Sequence, residues 1–452
     1  DFRYEHFKRT FIMPIKLSLV FILSLSLSFF GCSQKTVTLV PEKGTYQFPY
    51  FKTQTPVWNY NGQIPGPLLR GKQGSTLIAK LKNSLSEPTS VHWHGLRIDN
   101  AMDGVPGVTQ SPINPGETFT YRLKLDDAGT FWYHPHFNSG EQLERGLKGP
   151  LIVEESNPKP WSRDVVWLLD DWRMQQDGTI YPHFNIHPDL MHEGRWGNVI
   201  TVNGQVSPEL QVSPGERIKL RLINGANARI FAHELKGVLA RVIAVDGRPV
   251  SSFFEFKDFI LSPGNRVDLD ITIPLDAAGK TFLLEDRFTR EPIPMGKIVV
   301  NTEPAVKTPD FTPPTLKNFI PAPIFNTIDV SKNWDLNAMR GGKFGIGWSM
   351  NRQLWPDADR FDHPLGVPVK LQFTNKSNRL HPMHIHGAFF RVLSVNGEKS
   401  VEPFTRDTVL VGPLETVVIG LVPEHEGIWL THCHIQAHAE SGMMTTIEVE
   451  EE

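Results

Sequence analysis

Apolar and polar positions alternate in three segments that align without a gap: Leu77-Ile-Ala-Lys-Leu-Lys-Asn83, Ile218-Lys-Leu-Arg-Leu-Ile-Asn224 and Val369-Lys-Leu-Gln-Phe-Thr-Asn375. A period of two is the mark of a β-strand with one face buried. Each segment ends on Asn, and the three asparagines lie 141 and 151 residues apart. A second pattern recurs further along each third: Gly129-Thr-Phe-Trp-Tyr-His134-Pro-His136, Gly279-Lys-Thr-Phe-Leu-Leu284-Glu-Asp286 and Gly427-Ile-Trp-Leu-Thr-His432-Cys-His434, with glycines 150 and 148 apart. A period this long denotes a duplicated domain rather than a solenoid. The pattern predicts an all-β chain of three similar units, each a Greek-key sandwich of short strands, with little helix.

Breaks in composition set the expected limits. Residues 36–157 form the first unit, and Ser156-Asn-Pro-Lys-Pro160 marks the passage to the second, 160–301. A connector rich in Pro, Thr and Lys, 302–323, precedes the third unit, 324–452. Upstream, from Met13, the chain reads Met-Pro-Ile-Lys, then an apolar run from Leu17 to Phe30, then Gly31-Cys32-Ser33. That is a charged region, an apolar region and a processing site. The run is short for a membrane-spanning helix. Gly31-Cys32 resembles a bacterial lipoprotein cleavage site, at which the Cys becomes the lipidated first residue. Phe29 and Phe30 stand where a Leu and a small residue are usual, which keeps plain secretion open. Residues 1–32 are expected to be leader, with 1–12 upstream of the start at Met13.

Charge and cysteine usage narrow the function. A net charge of −3 over 452 residues gives no basic excess to attract nucleic acid or an anionic membrane surface. The 36 Gly and 36 Pro suit many turns. With Cys32 in the leader and Cys433 flanked by histidines, the two cysteines are not expected to form a disulfide.

Histidine spacing carries the chemistry. His92-Trp-His94 lies nine residues after Asn83 and His384-Ile-His386 nine after Asn375; the same count in the middle unit reaches His233-Glu-Leu235. With His134/His136 and His432/His434, the outer units bring two His-x-His pairs each, whereas the middle unit has Leu284 and Asp286 at the second place. In His-x-His both rings leave one face of a strand, and one strand cannot surround a metal, so the pairs must meet across an interface of the first and third units. Eight imidazoles can serve a cluster of three coppers with room for O2. Cys433 points to the opposite face from its flanking histidines. Together with His438 and Met443 it offers a thiolate, an imidazole and a thioether, the soft set of a blue copper that still needs a second His. His381 is unique to the third unit, its first-unit counterpart being Thr89; Cys433, His438 and Met443 likewise face Pro135, Gly140 and Arg145. The blue site is therefore single.

His92-Trp-His-Gly, His134-Pro-His, His381-Pro-Met-His-Ile-His-Gly and His432-Cys-His through Met443 stand in the order found in three-domain bacterial multicopper oxidases, of the laccase and copper-efflux oxidase kind, which the chain resembles from about residue 36 to its end. The resemblance implies three cupredoxin-like domains and four coppers per chain. It assigns a type 1 copper to His381, Cys433, His438 and Met443, and a type 2 copper to His92 and His384. One type 3 copper falls to His94, His134 and His434, the other to His136, His386 and His432. It further implies one-electron oxidation of a phenolic or metal-ion reductant, electron passage through Cys433 to His432 and His434, and reduction of O2 to water. Asp103 matches an acidic position that serves oxygen reduction in the family; a turn-forming Asp before Gly104 is the alternative. Relatives often carry an acid directly after the last type 1 His, whereas here Ala439 precedes Glu440. A periplasmic or envelope monomer, anchored by lipid at Cys32, soluble or secreted, is expected.

Other residues read more plainly. His183, His187, Met191 and His192 belong to a solvent-exposed loop rather than an accessory copper site. His233 is a packed remnant of the repeat, His363 and His425 have no partners by spacing, and Trp132 and Trp429 belong to the core. A copper-free scaffold of the same fold, a two-domain-type nitrite reductase and a copper carrier without turnover are the competing functions; the intact ligand set, the three units and the cluster spread over two units speak against them. Dedicated cuprous oxidases often have a Met-rich insert near the type 1 copper; the ten methionines here are scattered, with Met339 and Met350 the only hint.

Overall fold

The computed structural model describes residues 34–316 and 320–451. Its strands group by sequence into three sets, the middle and third each built on two sheets and the first on three. In the middle set the six-stranded sheet runs, edge to edge, Val199–Val202, Arg163–Trp172, Arg217–Asn224, Arg266–Thr272, Ala240–Val245, Arg248–Glu255. The third set repeats that order with Ile346–Met350, Val330–Arg340, Val369–Asn375, Thr416–Leu421, Phe390–Val395 and Glu398–Lys399. Even a bulge recurs, at Val242/Ala244 and at Val392/Ser394. The first set keeps the centre of the same arrangement, Gln34–Leu39 parallel to Thr76–Lys82 and then antiparallel Thr118–Lys124. Shared topology with a shared irregularity is what a triplicated ancestor leaves behind.

Each set has its own core. Leu77, Ala79 and Leu81 are buried in the first, Val369, Leu371 and Phe373 in the third, and the residues between them are partly exposed or exposed, as the alternation requires. The middle strand Arg217–Asn224 departs from this, because every residue in it is buried. Its polar face is covered by the first domain: Arg221 donates to Thr130 Oγ1 at 2.8 Å and pairs with Asp164 and Asp268, while Lys219 reaches Glu155. A face that reads as solvated is here an ionic interface. Cys32 and the rest of the expected leader lie outside the described residues.

Candidate metal centre

Strand parity distributes the site. Strand His92–His94 pairs with Gly129–His134 so that His92 faces His134; strand His381–Ile385 pairs with Gly427–Cys433 so that His384 faces His432. On the latter pair His384, His386, His432 and His434 leave one face. His381 and Cys433, at odd offsets from them, leave the other and lie in the third domain's core with Met383, Ile435 and Met443.

The two outer domains meet ring to ring. His92 stacks on His386 with centroids 3.8 Å apart and planes 25° apart, and His94 stacks on His384 at 3.9 Å and 13°. His432 Nε2 lies 3.1 Å from His386 Nε2 and 3.5 Å from His136 Nε2. The His434 ring stands 5.0 Å from that of His94 and 5.4 Å from that of His134. All eight imidazoles thus converge, and Trp132 walls them, stacked 4.3 Å from His134.

Hydrogen bonds turn the nitrogens inward. His92, His134, His384 and His432 each direct Nδ1 to a backbone carbonyl, those of Asp103, Pro135, Asp407 and Cys433, at 2.8–2.9 Å. That fixes the tautomer and aims Nε2 at the cluster. Nε2 of His92, His134 and His384, Nδ1 of His94 and both nitrogens of His434 are buried with no hydrogen-bond partner. Each such orphan costs roughly 1–3 kcal/mol. Burial, reinforced by neighbouring imidazoles, holds His94, His134, His386, His432 and His434 well below the ordinary histidine range, so their lone pairs are free. A nest of neutral, unpartnered imidazole nitrogens fits copper ions.

Two aspartates brace the nest from opposite sides. Asp103 accepts the Nδ1–H of His386 through Oδ2 at 2.8 Å while its carbonyl holds His92. Asp407 does the converse, its carbonyl holding His384 and its Oδ1 lying 3.3 Å from His94 Nε2. Asp407 was not singled out in the sequence. It is also the one bound by a cation: Arg266 of the middle domain reaches both its oxygens, at 2.7 and 2.9 Å. Burial pushes Asp407 up, but Arg266 and His384 outweigh that and hold it below the usual carboxylate range. The middle domain thus takes part without supplying imidazoles. Its Gly264, at φ +91°, packs so closely that a Cβ there would stand 2.8 Å from His94 Cε1 and 3.0 Å from His434 Cδ2.

On the other face, Cys433 Sγ lies 3.8 Å from Nδ1 of both His381 and His438, which are themselves 3.2 Å apart. Ser377 Oγ engages His381 Nε2 at 3.1 Å, and His438 Nε2 donates to the His192 carbonyl at 2.8 Å. Both Nδ1 atoms are left for the thiol side. Met443 is fully buried after the helix Gln436–Glu440; its carbonyl accepts the Cys433 N–H and its own N–H donates to the His438 carbonyl. Burial depresses His438 to about 3 and pushes the Cys433 thiol up, so the thiolate needs a bound cation.

The remaining residues fall as follows. Glu440 turns to the domain junction, accepting from Gly140 N at 2.8 Å, Ser139 Oγ at 3.3 Å and Asn185 Nδ2. It walls a cavity of about 680 Å3 that reaches His136, the one half-buried cluster histidine. His183, His187, Met191 and His192 are exposed, and no metal-capable group among the described residues includes them. His233 is buried with both nitrogens unpartnered, His363 bonds only the Val367 carbonyl, and Trp429 is core.

Comparison with known proteins agrees with this geometry. Family models described as multicopper oxidase match residues 43–158, 163–301 and 327–452. The multicopper oxidase mco of Staphylococcus epidermidis is 30% identical, over 92% of this chain and 88% of its own. The copper resistance protein A homolog of Pseudomonas syringae pv. tomato is 25% identical, over 86% and 88%. The crystal structure of a multi-copper oxidase from Pseudomonas thermotolerans matches with a TM-score of 0.82 and 32% identity, covering 93% of this chain and all of that one.

Proposed function

Since this chain belongs to the multicopper oxidase family, an oxygen-using copper oxidase, we propose how its residues divide the work. His381, Cys433, His438 and Met443 hold the type 1 copper, and His92 and His384 the type 2. His94, His134 and His434 hold one type 3 copper; His136, His386 and His432 hold the other. The observation that carries this reading is the set of buried imidazole nitrogens left without partners on the cluster face, beside a separate thiol–imidazole set on the other. Copper held by these residues would supply one-electron oxidation of a reductant and four-electron reduction of O2 to water.

The protein's part is placement and protons. His432-Cys433-His434 joins the two faces by two peptide units, the shortest covalent link the strand allows. Asp103 places its carboxyl beside the cluster, where it orients His386 and passes protons to the oxygen being reduced. Asp407, kept anionic by Arg266, orients His94 and His384. The cavity at His136, with Glu440 in its wall, admits oxygen and releases water. The domains run 36–157, 160–301 and 324–452, with 302–323 as linker.

The physiological reductant is a phenolic or other aromatic molecule, or a metal ion. The likeness to a copper resistance protein A homolog favours cuprous oxidation as the second reading. Copper content and O2 uptake of purified protein with a simple phenol test the central reading: a scaffold takes up no copper, and a carrier binds copper without O2 uptake. Rates with Cu(I), Fe(II), Mn(II) and phenols compared side by side separate the two reductant classes.

The chain acts as a monomer in the cell envelope or periplasm, tethered by lipid at Cys32. Among the described residues no helix is long and apolar enough to cross a membrane. An unmodified N-terminus downstream of Cys32, seen by mass spectrometry, would count against the tether.

A further inference from the structure

The middle domain brings no imidazole to the cluster, yet one of its turns reaches the seam where the other two domains join. Strands Ala240–Val245 and Arg248–Glu255 form a hairpin whose two turn residues, Asp246 and Gly247, lie in the left-handed region at φ +45° and +83°. A two-residue hairpin turn of this kind needs positive φ at both places, which Asp-Gly supplies. Three consecutive residues at the tip touch the neighbouring domains. Gly247 packs on the first domain: its carbonyl leaves no room for a Cβ on Gly129, and a Cβ of its own would stand 2.7 Å from Phe131 Cε1. Gly129 and Phe131 belong to the strand that ends on His134. Arg248 stacks on Phe389 of the third domain at 4.8 Å, and Phe389 is itself buried in the first domain's core.

Asp246 faces the third domain and is completely buried. Its Oδ2 accepts the backbone N–H groups of Asp407 at 3.1 Å and Thr408 at 3.3 Å. Its Oδ1 accepts the N–H of Arg266 at 2.9 Å, and Asn265 Nδ2 donates to both oxygens. Asn265 Nδ2 also donates to the Thr408 carbonyl at 2.9 Å, so two middle-domain side chains grip the Asp407–Thr408 segment. That segment carries the brace of the cluster. The Asp407 carbonyl holds His384 Nδ1 at 2.8 Å, Thr408 Oγ1 lies 3.1 Å from the same nitrogen, and Asp407 Oδ1 lies 3.3 Å from His94 Nε2. Asp246 is thus one residue removed from an imidazole of each outer domain. Gly95, next to His94, completes the fit: at φ +87°, a Cβ there would stand 2.8 Å from Asp407 Oδ2.

We propose that Asp246 is a positioning residue for the copper cluster: it fixes Asp407 and Thr408 against the middle domain, and so sets His94 against His384 and the hold on the type 2 copper. This rests on the oxidase reading above and adds to it what the ligand-free domain does at the cluster. His94 and His384 stack at 3.9 Å, one from each outer domain, and Asp407 is the support they share. Asp246 touches neither ring. The thiol–imidazole set lies on the opposite face of the strand His381–Ile385, so the loss of Asp246 acts on the cluster and spares the type 1 centre.

Asp246→Gly removes the carboxylate and leaves a residue at ease at positive φ. Asp246→Asn also keeps the turn, because Asn adopts this conformation readily. A carboxylate accepts at both oxygens and an amide at one only, so Asn sets its NH2 against Asp407 and Thr408 or against Arg266, whose guanidinium holds Asp407. Val250→Ala, on the same hairpin but in the middle domain's own core, controls for lost stability alone. In copper-loaded protein the measurements are the type 2 EPR signal, the release of copper to a chelator and the melting temperature. Both Asp246 variants should show an altered type 2 signal and roughly tenfold faster release of one copper, the lower end of the 10–100-fold typical when a partner of a metal ligand is lost. The blue absorption and the rate of anaerobic type 1 reduction should stay at wild type, whereas reoxidation by O2 should slow. Val250→Ala should lower the melting temperature and leave the type 2 signal and the release rate unchanged. Should Asp246→Gly fail to fold, Asp246→Asn decides. A wild-type type 2 signal and release rate in folded, loaded Asp246→Asn would overturn the proposal, as would an equal change in Val250→Ala. Wild-type protein that takes up no copper would instead refute the oxidase reading itself.

Discussion

Asp103 of the first domain accepts the Nδ1–H of His386 of the third domain at 2.8 Å, while its own backbone carbonyl accepts from His92. One residue therefore orients imidazoles on both sides of the domain interface, and does so with an acid at the cluster's edge.

Replacing Asp103 by Asn keeps the size and one acceptor but removes the acid. Copper loading should survive, and anaerobic reduction of the type 1 centre should run at the wild-type rate. Reoxidation by O2 should slow by the ~10²–10⁴-fold typical of a lost proton donor. Stopped-flow measurement of both half-reactions checks this; a turn-only role would instead lower stability and copper content and affect both halves in proportion.

Arg266 is the matching test on the other side. It is fully buried, pairs with Asp407 and donates through Nε to the Thr130 carbonyl of the first domain at 3.0 Å. Arg266→Leu leaves Asp407 and nearby Asp246 as buried carboxylates without their cation, a loss of about 3–5 kcal/mol. Differential scanning calorimetry should show the drop, and EPR should show the type 2 signal disturbed with the type 1 signal intact.

Most of the clustered histidines were legible because they are local: His-x-His and His-Cys-His are strand patterns, and the repeat showed which copies carry them. Asp407 escaped because the repeat fails there. Asp103 follows His92 by eleven residues and Asp407 follows His384 by twenty-three, so counting from the histidines misses it. Arg266, Lys219 and Arg221 escaped for another reason: alternation reports which face is polar, not that a neighbouring domain buries that face. The His192 contact was illegible in principle, since a backbone carbonyl is common to every residue and only the fold brings it to His438.

The copper-free protein should be acid-sensitive. Histidines ordinarily protonate near 6.5, but the buried ones here stay neutral well below that, His438 to about 3. Below pH ~6.5 the unfolded chain thus binds more protons than the folded one, so stability falls as pH drops toward the native values and is fully present above 6.5. Melting temperatures from pH 4 to 8 should rise steeply to about pH 6.5 and then level.

Glu440 joins Ser139 and Gly140 of the first domain and Asn185 of the middle domain to the third. Glu440→Ala should lower stability by roughly 1.5–3 kcal/mol, the worth of charge-assisted hydrogen bonds, with the blue absorption retained. Thermal denaturation of the loaded protein measures it.

The most direct test of the account is Cys433→Ser, analysed for copper and by visible absorption. Cys433 alone points its side chain into the His381–His438 set while its neighbours serve the cluster. The wild type should bind four coppers per chain and be intensely blue. The variant should lose the blue band, one copper and reductant oxidation, and keep the cluster copper. A variant that stays blue, or that loses the cluster along with the type 1 copper while remaining folded, would contradict the separation of the two sites on opposite faces of one strand.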